Sequence, residues 1–214
     1  MNLLHVVATP RGERSRTLAV ATAFLEELSL HLPDLSVTTV DVTDGRLPQV
    51  TDSLASAKYP LMGGQAPDPA DVPDWPAVAA LAEEFCAADA YLVTSPMWNF
   101  GVPYWLKQYI DCVVQPGYAF RYEGGYPTPM LHGKQMVCIS SRGADYSPEG
   151  PMGVFDFQEP YLRAIFGFIG ITDTTFINAQ PLDHPVLGGE ALTAAIATAQ
   201  GLARDPRWAG GAAA

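Results

Sequence analysis

Hydroxyl-bearing residues follow three of the apolar, strand-like segments in this sequence. The first segment ends in Thr9, the third in Thr94-Ser95 and the fourth in Ser140-Ser141. Because ligands of parallel sheets bind beyond the carboxyl ends of the strands, these hydroxyls and the amides beside them are expected to converge on one crevice. Helix capping by Ser and Thr explains any one of these loops, but three together favour a polar ligand with phosphate and heterocyclic edges.

Three arginines are concentrated in the first of these loops. Arg11, Arg14 and Arg16 lie within six consecutive positions, although the whole chain contains only 12 Lys and Arg residues. They lie where the first helix is predicted to begin, beside Ser15 and Thr17, and a helix N-terminus already presents free N–H groups to an anion. Arginine adds charge-assisted hydrogen bonds. A solvated basic turn is the alternative, but the pattern favours a phosphate site.

Several other chemistries lack their sequence signatures. The first strand is not followed by Gly-x-Gly-x-x-Gly, and the chain contains no Walker loop, no Gly-x-Ser-x-Gly and no His-Glu-x-x-His. Cys86, Cys112 and Cys138 form no Cys-x-x-Cys pair, and the histidines are scattered, so we expect neither a metal site nor a disulfide. His184, beside Asp183, is a candidate proton donor, with surface solvation as the alternative. A mononucleotide on a flavodoxin-like sheet is the remaining interpretation.

The stretch from residue 96 to residue 126 is rich in aromatic side chains. Within it, Asn99 offers an amide and Gly101 allows close backbone approach to a planar ring. Taken alone, such a cluster is more often core than cofactor site, and Tyr109 belongs to the apolar face of a predicted helix. The aromatic residues concerned are Trp98, Phe100, Tyr104, Trp105, Tyr109, Tyr118, Phe120, Tyr122 and Tyr126.

Strand-like and helix-like segments alternate along the chain, which indicates how these residues are positioned. Residues 44–74 are rich in Pro, Gly, Asp and Ser and are expected to form a long excursion. The alternation predicts one α/β domain over residues 1–214, with a five-stranded parallel sheet and helices on both faces. The predicted strands are 3–8, 37–42, 90–94, 135–139 and 174–177, and the predicted helices are 18–30, 75–88, 103–114, 160–168 and 190–203.

The composition excludes several classes of partner. The chain carries 12 Lys and Arg against 23 Asp and Glu, a formal net charge of -11. Such a charge repels nucleic-acid phosphate and anionic lipid, so we expect no nucleic-acid partner and no membrane surface. No apolar stretch approaches the roughly 20 residues that span a bilayer. The N-terminal run has no basic flank typical of a signal peptide, so the cytoplasm is the expected location.

The motifs after residue 96 follow a characteristic order. They are Pro96-Met97-Trp98-Asn99-Phe100, Pro103, Leu106-Lys107, Asp111, Gly117-Tyr118-Ala119-Phe120-Arg121-Tyr122, Ser141-Arg142-Gly143, Tyr161-Leu162 and Gly167-Phe168-Ile169-Gly170-Ile171-Thr172-Asp173. In this order the sequence resembles the FMN-dependent NADH-azoreductase family, also called NADH:quinone reductases. The similarity extends from the first loop to about residue 180 and is most specific between residues 96 and 173.

This resemblance implies a flavodoxin-like homodimer with one FMN in each subunit and a substrate pocket at the dimer interface. It implies separate contacts to the FMN phosphate, to both sides of the isoalloxazine ring and to its pyrimidine edge. The phosphate residues are Thr9, the Glu13-Arg14-Ser15 segment, Arg16 and Thr17, with Arg11 added from the basic loop; the ring residues are Pro96, Met97, Trp98, Asn99 and Phe100; the pyrimidine residues are Ser141, Arg142, Gly143 and Ala144. The substrate would contact Asn99, Phe120 and, from the partner subunit, Ile165 or Phe166.

Three departures from the family pattern bear on the substrate range rather than on FMN binding. Trp98 stands where a tyrosine is expected, and Ala144 stands where a second glycine is usual. The segment around residues 60–75 is long and rich in Pro and Asp.

The resemblance also implies that FMN carries the chemistry and that no side chain is itself catalytic. Hydride would pass from NADH or NADPH to FMN N5, and from there to a quinone, an azo compound or a related conjugated aromatic acceptor by a ping-pong mechanism. Asn99 and Arg142 are the candidates for tuning the flavin, because the Arg142 guanidinium and the amides after Ser141 would stabilise charge at the N1–C2 carbonyl. The alternatives are a flavodoxin-type electron carrier or a flavin-binding redox sensor that serves a protein partner, which the acidic charge would suit.

Overall fold

The centre of the protein is a parallel sheet of five strands in the order β2-β1-β3-β6-β7. The computed structural model describes residues 1–208. Every predicted strand and helix is present, and helices cover both faces, which confirms the predicted α/β architecture. The strands are β1 Asn2–Val7, β2 Ser36–Asp41, β3 Ala90–Thr94, β4 Phe120–Glu123, β5 Tyr126–Pro129, β6 Gln135–Ser141 and β7 Asp173–Ala179. The helices are α1 Arg16–His31, α2 Asp52–Ser56, α3 Lys58–Met62, α4 Trp75–Ala87, α5 Tyr104–Val113, α6 Gln158–Phe168 and α7 Gly188–Ala203.

Successive side chains of the central strands enter opposite helical layers, as the pleat of a strand requires. Leu4 and Val6 of β1 pack with side chains of α4, α5 and α6. Leu3, on the other face, packs with side chains of α1 and α7. Because both faces of β1, β3 and β6 are buried, these central strands are nearly continuous apolar runs, which is why the sequence predicts them well.

Two parts of the structure are absent from the sequence prediction. Strands β4 and β5 form an antiparallel hairpin outside the main sheet, joined by Gly124 and Gly125 with φ angles of 59° and 87°. The predicted excursion at residues 44–74 contains the short helices α2 and α3. Its apolar side chains, including Leu54 and Leu61, pack with Trp75 at the start of α4.

The strand order reverses beside β1, and this reversal locates the crevice of the sheet. After β1 the chain crosses to β2 on one side, and it then returns past β1 to β3 on the other side. The connections from these strands therefore diverge to opposite faces, which leaves an opening beyond the carboxyl ends of β1 and β3. The loops that follow β1, β3 and β6 border this opening.

Residues 1–208 contain neither a membrane-spanning helix nor a cluster of metal-ligating side chains. No helix in this range combines the length and the apolar composition that crossing a membrane would need. The same range contains no group of three or more His, Cys, Asp or Glu side chains placed to hold a metal ion.

His5 is a buried titratable residue at the centre of the sheet. Its side chain is 6% exposed, and its Nε2 lies 2.7 Å from Oγ1 of Thr94, at the carboxyl end of β3. Burial lowers the pKa of His5 to about 4, because the imidazolium would lose its hydration. The histidine is therefore neutral in the folded protein at neutral pH.

Protonation of His5 is predicted to destabilise the protein in mild acid. The unfolded chain binds this proton below about pH 6.5 and the folded chain only below about pH 4, so stability falls as the pH falls through this window. Between pH 7 and pH 5 the free energy of unfolding should decrease by about 2 kcal/mol more in the wild type than in His5→Gln. Urea unfolding at the two pH values measures this difference, and an equal decrease in both proteins would contradict the assignment.

Candidate functional site

Buried hydroxyl groups from two loops meet beyond the carboxyl ends of the strands. Thr9 lies two residues after the end of β1, and its Oγ1 is 3.0 Å from Ser15 Oγ; both residues are buried. Thr17 Oγ1 donates to Ser141 Oγ at 2.7 Å, which joins the first turn of α1 to the end of β6. The structure thus brings Thr9, Ser15, Thr17 and Ser141 together at one edge of the sheet.

The N-terminus of α1 presents two free backbone donors in this region. Ser15 is the N-cap, and its Oγ accepts from the Leu18 amide at 3.2 Å. The amides of Arg16 and Thr17 donate to no acceptor within residues 1–208. Free amides of a first helical turn, together with the positive end of the helix dipole, form a site for an anion.

The arginines of the first loop have different environments. The Arg16 guanidinium donates from Nη1 to Leu182 O and from Nη2 to Asp183 Oδ1, both at 2.8 Å. This guanidinium fastens the loop after β7 to α1. It is therefore engaged within the protein, whereas the sequence predicts that Arg16 binds the phosphate. Arg11 and Arg14 are exposed and form no ion pair with the described part of the chain. These two are the arginines of this loop whose charges the described residues leave without an ion pair.

The loop after β3 forms a tight turn that exposes its side chains. The amide and carbonyl groups of Trp98 and Gly101 exchange two hydrogen bonds of 3.0 Å. The residues between them, Asn99 and Phe100, have positive φ angles of 46° and 72°. Asn tolerates this left-handed region, but Phe rarely adopts it, so the turn stores backbone strain. Such strain is found mainly at ligand-binding and catalytic sites.

The exposed side chains of this turn belong to an aromatic surface. Trp98 packs on Trp105 with ring centroids 5.3 Å apart, and a cleft of about 530 Å³ lies beside Trp98 and Asn99 along α5. Phe100 stacks on Phe155 at 5.1 Å and meets Tyr146 edge-on at 6.3 Å. Sequence reasoning missed Phe155 and Tyr146, because their contact with Phe100 depends on a long-range approach of the 143–157 loop.

Pro96 and Met97 connect this turn to the loop after β6. Both are partly buried, and the Met97 amide donates to Ser141 O at 3.0 Å. The amides of Gly143 and Ala144 make no hydrogen bond with any residue from 1 to 208. A Cβ atom at Gly143 would lie 2.5 Å from Oδ2 of the Asp183 side chain, so the loop after β7 approaches this loop closely. This loop therefore offers two further backbone donors at the same edge of the sheet.

The Arg142 guanidinium faces the interior instead of this edge. The residue is 2% exposed, and its Nε donates to Ser140 Oγ at 2.9 Å while its Nη1 donates to Asp156 Oδ2 at 2.8 Å. Nη2 lies 4.0 Å from Glu159 Oε2. The sequence interpretation assigned this group to the flavin; the structure places it between β6 and the start of α6. Asp156 and Glu159, which sequence reasoning missed, are its partners.

The expected substrate residues have unequal exposure. Phe120 is largely buried and packs edge-on against Phe168 with centroids 4.9 Å apart, whereas Ile165 is partly exposed on α6. Phe166 is 1% exposed and stacks on Phe85 in the core, because its position on α6 faces the sheet. Phe166, which the sequence places at the substrate, is therefore a core side chain in this subunit, whereas Phe168 is the exposed aromatic side chain of α6 next to Phe120.

The remaining candidates, Glu13 and His184, are both exposed. Glu13 lies in the exposed turn before Ser15. Nδ1 of His184 accepts from the amides of Val186 and Leu187 at 3.2 and 3.1 Å, so this ring caps its own loop.

Comparisons with known proteins agree with this geometry. The model of the flavodoxin-like fold family matches residues 1–202. An FMN-dependent NADH:quinone oxidoreductase of Nitratidesulfovibrio vulgaris is 38% identical over 180 residues, covering 84% of this chain and 86% of the relative. Another protein of that name, from Nostoc punctiforme, is 35% identical and covers 96% of this chain and 97% of its own length.

Solved structures show the same fold at lower identity. An azoreductase of Bacillus anthracis superposes with a TM-score of 0.86 at 24% identity, over 95% of this chain and 98% of that one. An FMN-dependent NADH-azoreductase of the same species, solved in complex with FMN, has a TM-score of 0.84 at 23% identity, over 95% of this chain and 98% of that one. The resemblance seen in the sequence is confirmed: the chain belongs to the flavodoxin-like fold family, together with curated FMN-dependent NADH:quinone oxidoreductases.

Proposed function

We propose that this protein is an FMN-dependent oxidoreductase that passes reducing equivalents from NADH to a quinone, an azo compound or a related conjugated aromatic acceptor. The names of its relatives support this activity. The observation that carries the proposal is the convergence of three loops, after β1, β3 and β6, which supply an anion site, an exposed aromatic turn and free amides at one edge of the sheet.

The anion site fits the phosphate of FMN. The free amides of Arg16 and Thr17 would bind phosphate oxygens, and the buried hydroxyls of Thr9 and Ser15 lie beside them. Arg14, exposed and without an ion pair in the described residues, would add a charge-assisted hydrogen bond. The chain as a whole carries a net charge of -11 and repels anions. At this edge, however, the local donors and the Arg14 charge would attract one.

The other two loops fit the flavin ring. The turn at residues 98–101 presents two aromatic side chains and the Asn99 amide, while the free amides of Gly143 and Ala144 would donate to the carbonyls of the pyrimidine edge. Because Arg142 is held by Asp156, backbone donors rather than its guanidinium would stabilise negative charge there.

Bound FMN would supply the redox chemistry, which is hydride transfer between the reduced nicotinamide and the acceptor. The protein residues bind and orient the ring, and the aromatic surface around Trp98 and Phe100 would hold either planar reactant against it. Solvent would supply the proton that the acceptor needs, since His184 is engaged in capping its own loop. Because one aromatic surface would hold both reactants, we expect nicotinamide and acceptor to bind there in turn, in a ping-pong sequence.

A homodimer is part of this proposal. Large apolar side chains are exposed before α6, at its end and on the hairpin, including Phe155, Phe157, Phe168 and Tyr126. A second subunit covering this region would bury them and close the open side of the aromatic surface, with Ile165 or Phe168 near the acceptor. The cytoplasm remains the proposed location, and the free thiols of Cys86, Cys112 and Cys138 are compatible with its reducing conditions.

An anaerobic NADH titration of the FMN-reconstituted protein tests the proposed activity. We expect bleaching of the visible flavin bands by one equivalent of NADH and complete reversal by a quinone. A bound flavin that NADH cannot reduce, but that exchanges electrons with a protein partner, would favour the electron carrier or sensor instead. Failure to bind FMN would contradict the site altogether.

Removal of the Arg14 side chain is predicted to weaken FMN binding while leaving the fold intact. Arg14→Ala should raise the Kd for FMN about tenfold, since a hydrogen bond to a charged group contributes about 1.5–3 kcal/mol and this one is exposed. Riboflavin, which lacks the phosphate, should bind the variant and the wild type equally. Arg46→Ala, which removes an exposed arginine paired with Asp44 in another loop, is the control. Equal FMN affinity of Arg14→Ala and Arg46→Ala would refute the assignment of Arg14 to the FMN phosphate.

Trp98 is predicted to select among acceptors without being needed for FMN. Its side chain is 38% exposed and borders the cleft beside α5. Trp98→Tyr should retain FMN affinity within about twofold but change the ratio of kcat/KM for large and small quinones by about tenfold, since a lost apolar contact contributes 1–3 kcal/mol. Identical ratios across a panel of quinones in both proteins would disprove a role in selection.

A further inference from the structure

Gln158 lies at the start of α6, and its side chain is completely buried. Its Nε2 donates to Pro96 O at 3.0 Å and lies 3.5 Å from Ser95 O. These carbonyls belong to the two residues directly before Met97, where the chain enters the aromatic turn. The Gln158 amide therefore holds the entry to that turn.

The residue before Gln158 holds the other side of the turn. The amide of Phe157 donates to Phe100 O at 3.0 Å. Two consecutive residues of the α6 N-terminus thus bind the backbone on both sides of Asn99. Because Asn99 and Phe100 have φ angles of 46° and 72°, the turn needs such support: strained conformations persist only where their surroundings over-determine them.

The start of α6 is in turn fixed to the sheet through Asp156. Asp156 Oδ1 accepts from the amides of Gln158 and Glu159, both at 3.0 Å. Its Oδ2 accepts from Nη1 of Arg142 at 2.8 Å, and Arg142 directly follows β6. These bonds therefore hold the Gln158 side chain in a fixed position relative to the carboxyl end of β6.

This arrangement leaves two buried polar atoms without a hydrogen bond within residues 1–208, a cost that packing alone does not explain. Gln158 Oε1 and Arg142 Nη2 are buried without a hydrogen-bond partner in the described residues. Both residues line an internal space, bordered also by Ser95 and Leu162, that is too small for a water molecule. An apolar side chain of similar size would leave no acceptor unpaired at position 158, but it would also remove the donor to Pro96.

We infer that Gln158 is a positioning residue for the flavin-binding turn: its buried amide, aligned by the Arg142–Asp156 ion pair, holds Pro96 and thereby keeps Asn99 and Phe100 in the conformation that meets the flavin ring. The inference rests on the proposed FMN function for its consequence, but the effect on the turn itself exists in the apoprotein.

Gln158→Met removes the amide donor while keeping a side chain of similar length. The matched control is Gln115→Met, because Gln115 Nε2 also donates to a backbone carbonyl, Asp111 O at 2.7 Å, but at the far end of α5. Hydrogen exchange of a peptide covering residues 96–101 in the apoproteins measures the turn directly. The Kd for FMN and the midpoint potential of the bound flavin measure the consequence.

We expect exchange in the 96–101 peptide of Gln158→Met to be about tenfold faster and FMN binding to be about tenfold weaker, with a shifted midpoint potential. Gln115→Met should match the wild type in all three measurements. Wild-type exchange and potential in Gln158→Met would overturn the inference, and a lowered melting temperature accompanied by those wild-type values would assign Gln158 a merely structural role.

If Gln158→Met does not fold, Asp156→Asn decides the question. This change keeps a hydrogen-bond acceptor at the start of α6 but weakens the bond from Arg142, so it should accelerate exchange in the same peptide to a smaller extent. Unchanged exchange there would equally refute the inference. Failure of the wild-type protein to bind FMN would contradict the proposed function, whereas the exchange comparison would still decide whether Gln158 positions the turn.

Discussion

The hydrogen-bonded ladder of the central sheet continues beyond the ends of its strands, and the candidate site depends on this continuation. The Ala8 amide donates to Thr94 O at 2.8 Å, the Ser95 amide to Ile139 O at 3.0 Å and the Met97 amide to Ser141 O at 3.0 Å. These bonds carry the regular spacing of the parallel strands into the loops, so loops distant in sequence are held as neighbours. The loops after β1, β3 and β6 can therefore act on one ligand.

The same edge of the sheet combines satisfied backbone groups with a few that are left free. Most amides near the strand ends are paired, which makes the loops rigid, while those of Arg16, Thr17, Gly143 and Ala144 have no partner in residues 1–208. Fixed donors need no reorganisation when an anion or a polar ring edge binds, and this is the physical basis of electrostatic preorganisation. The strained turn at Asn99 adds an aromatic wall to the same surface.

Sequence patterns predict most of the fold but only the local part of the site. Strands buried on both faces appear as apolar runs, so the sequence locates β1, β3 and β6. Once the strand ends are located, the hydroxyl-bearing residues that follow them are located too. The hairpin of β4 and β5 was missed because Tyr126–Pro129 contains two prolines and faces solvent, features that do not indicate a strand. Arg142 was correctly placed after a strand, but the side to which its guanidinium turns depends on Asp156, fourteen residues later.

Other features could not be read from local sequence because they depend on packing between distant elements. Phe166 and Phe168 lie on one helix, and only the packing of α6 decides that Phe166 enters the core while Phe168 stays exposed. Likewise, Gln158 resembles any polar residue of a first helical turn until its contact with Pro96, 62 residues earlier, is known. Long-range contacts of this kind determine which candidate residues are free to bind a ligand.

Backbone amide chemical shifts of the isotope-labelled protein during an FMN titration test the central claim most directly. If the three loops form one flavin site, the amides of Arg16, Thr17, Gly143 and Ala144 and those of residues 98–101 will all shift, and they will saturate together at one equivalent of FMN. Shifts confined to another part of the surface, or separate titration of the three loops, would contradict this account.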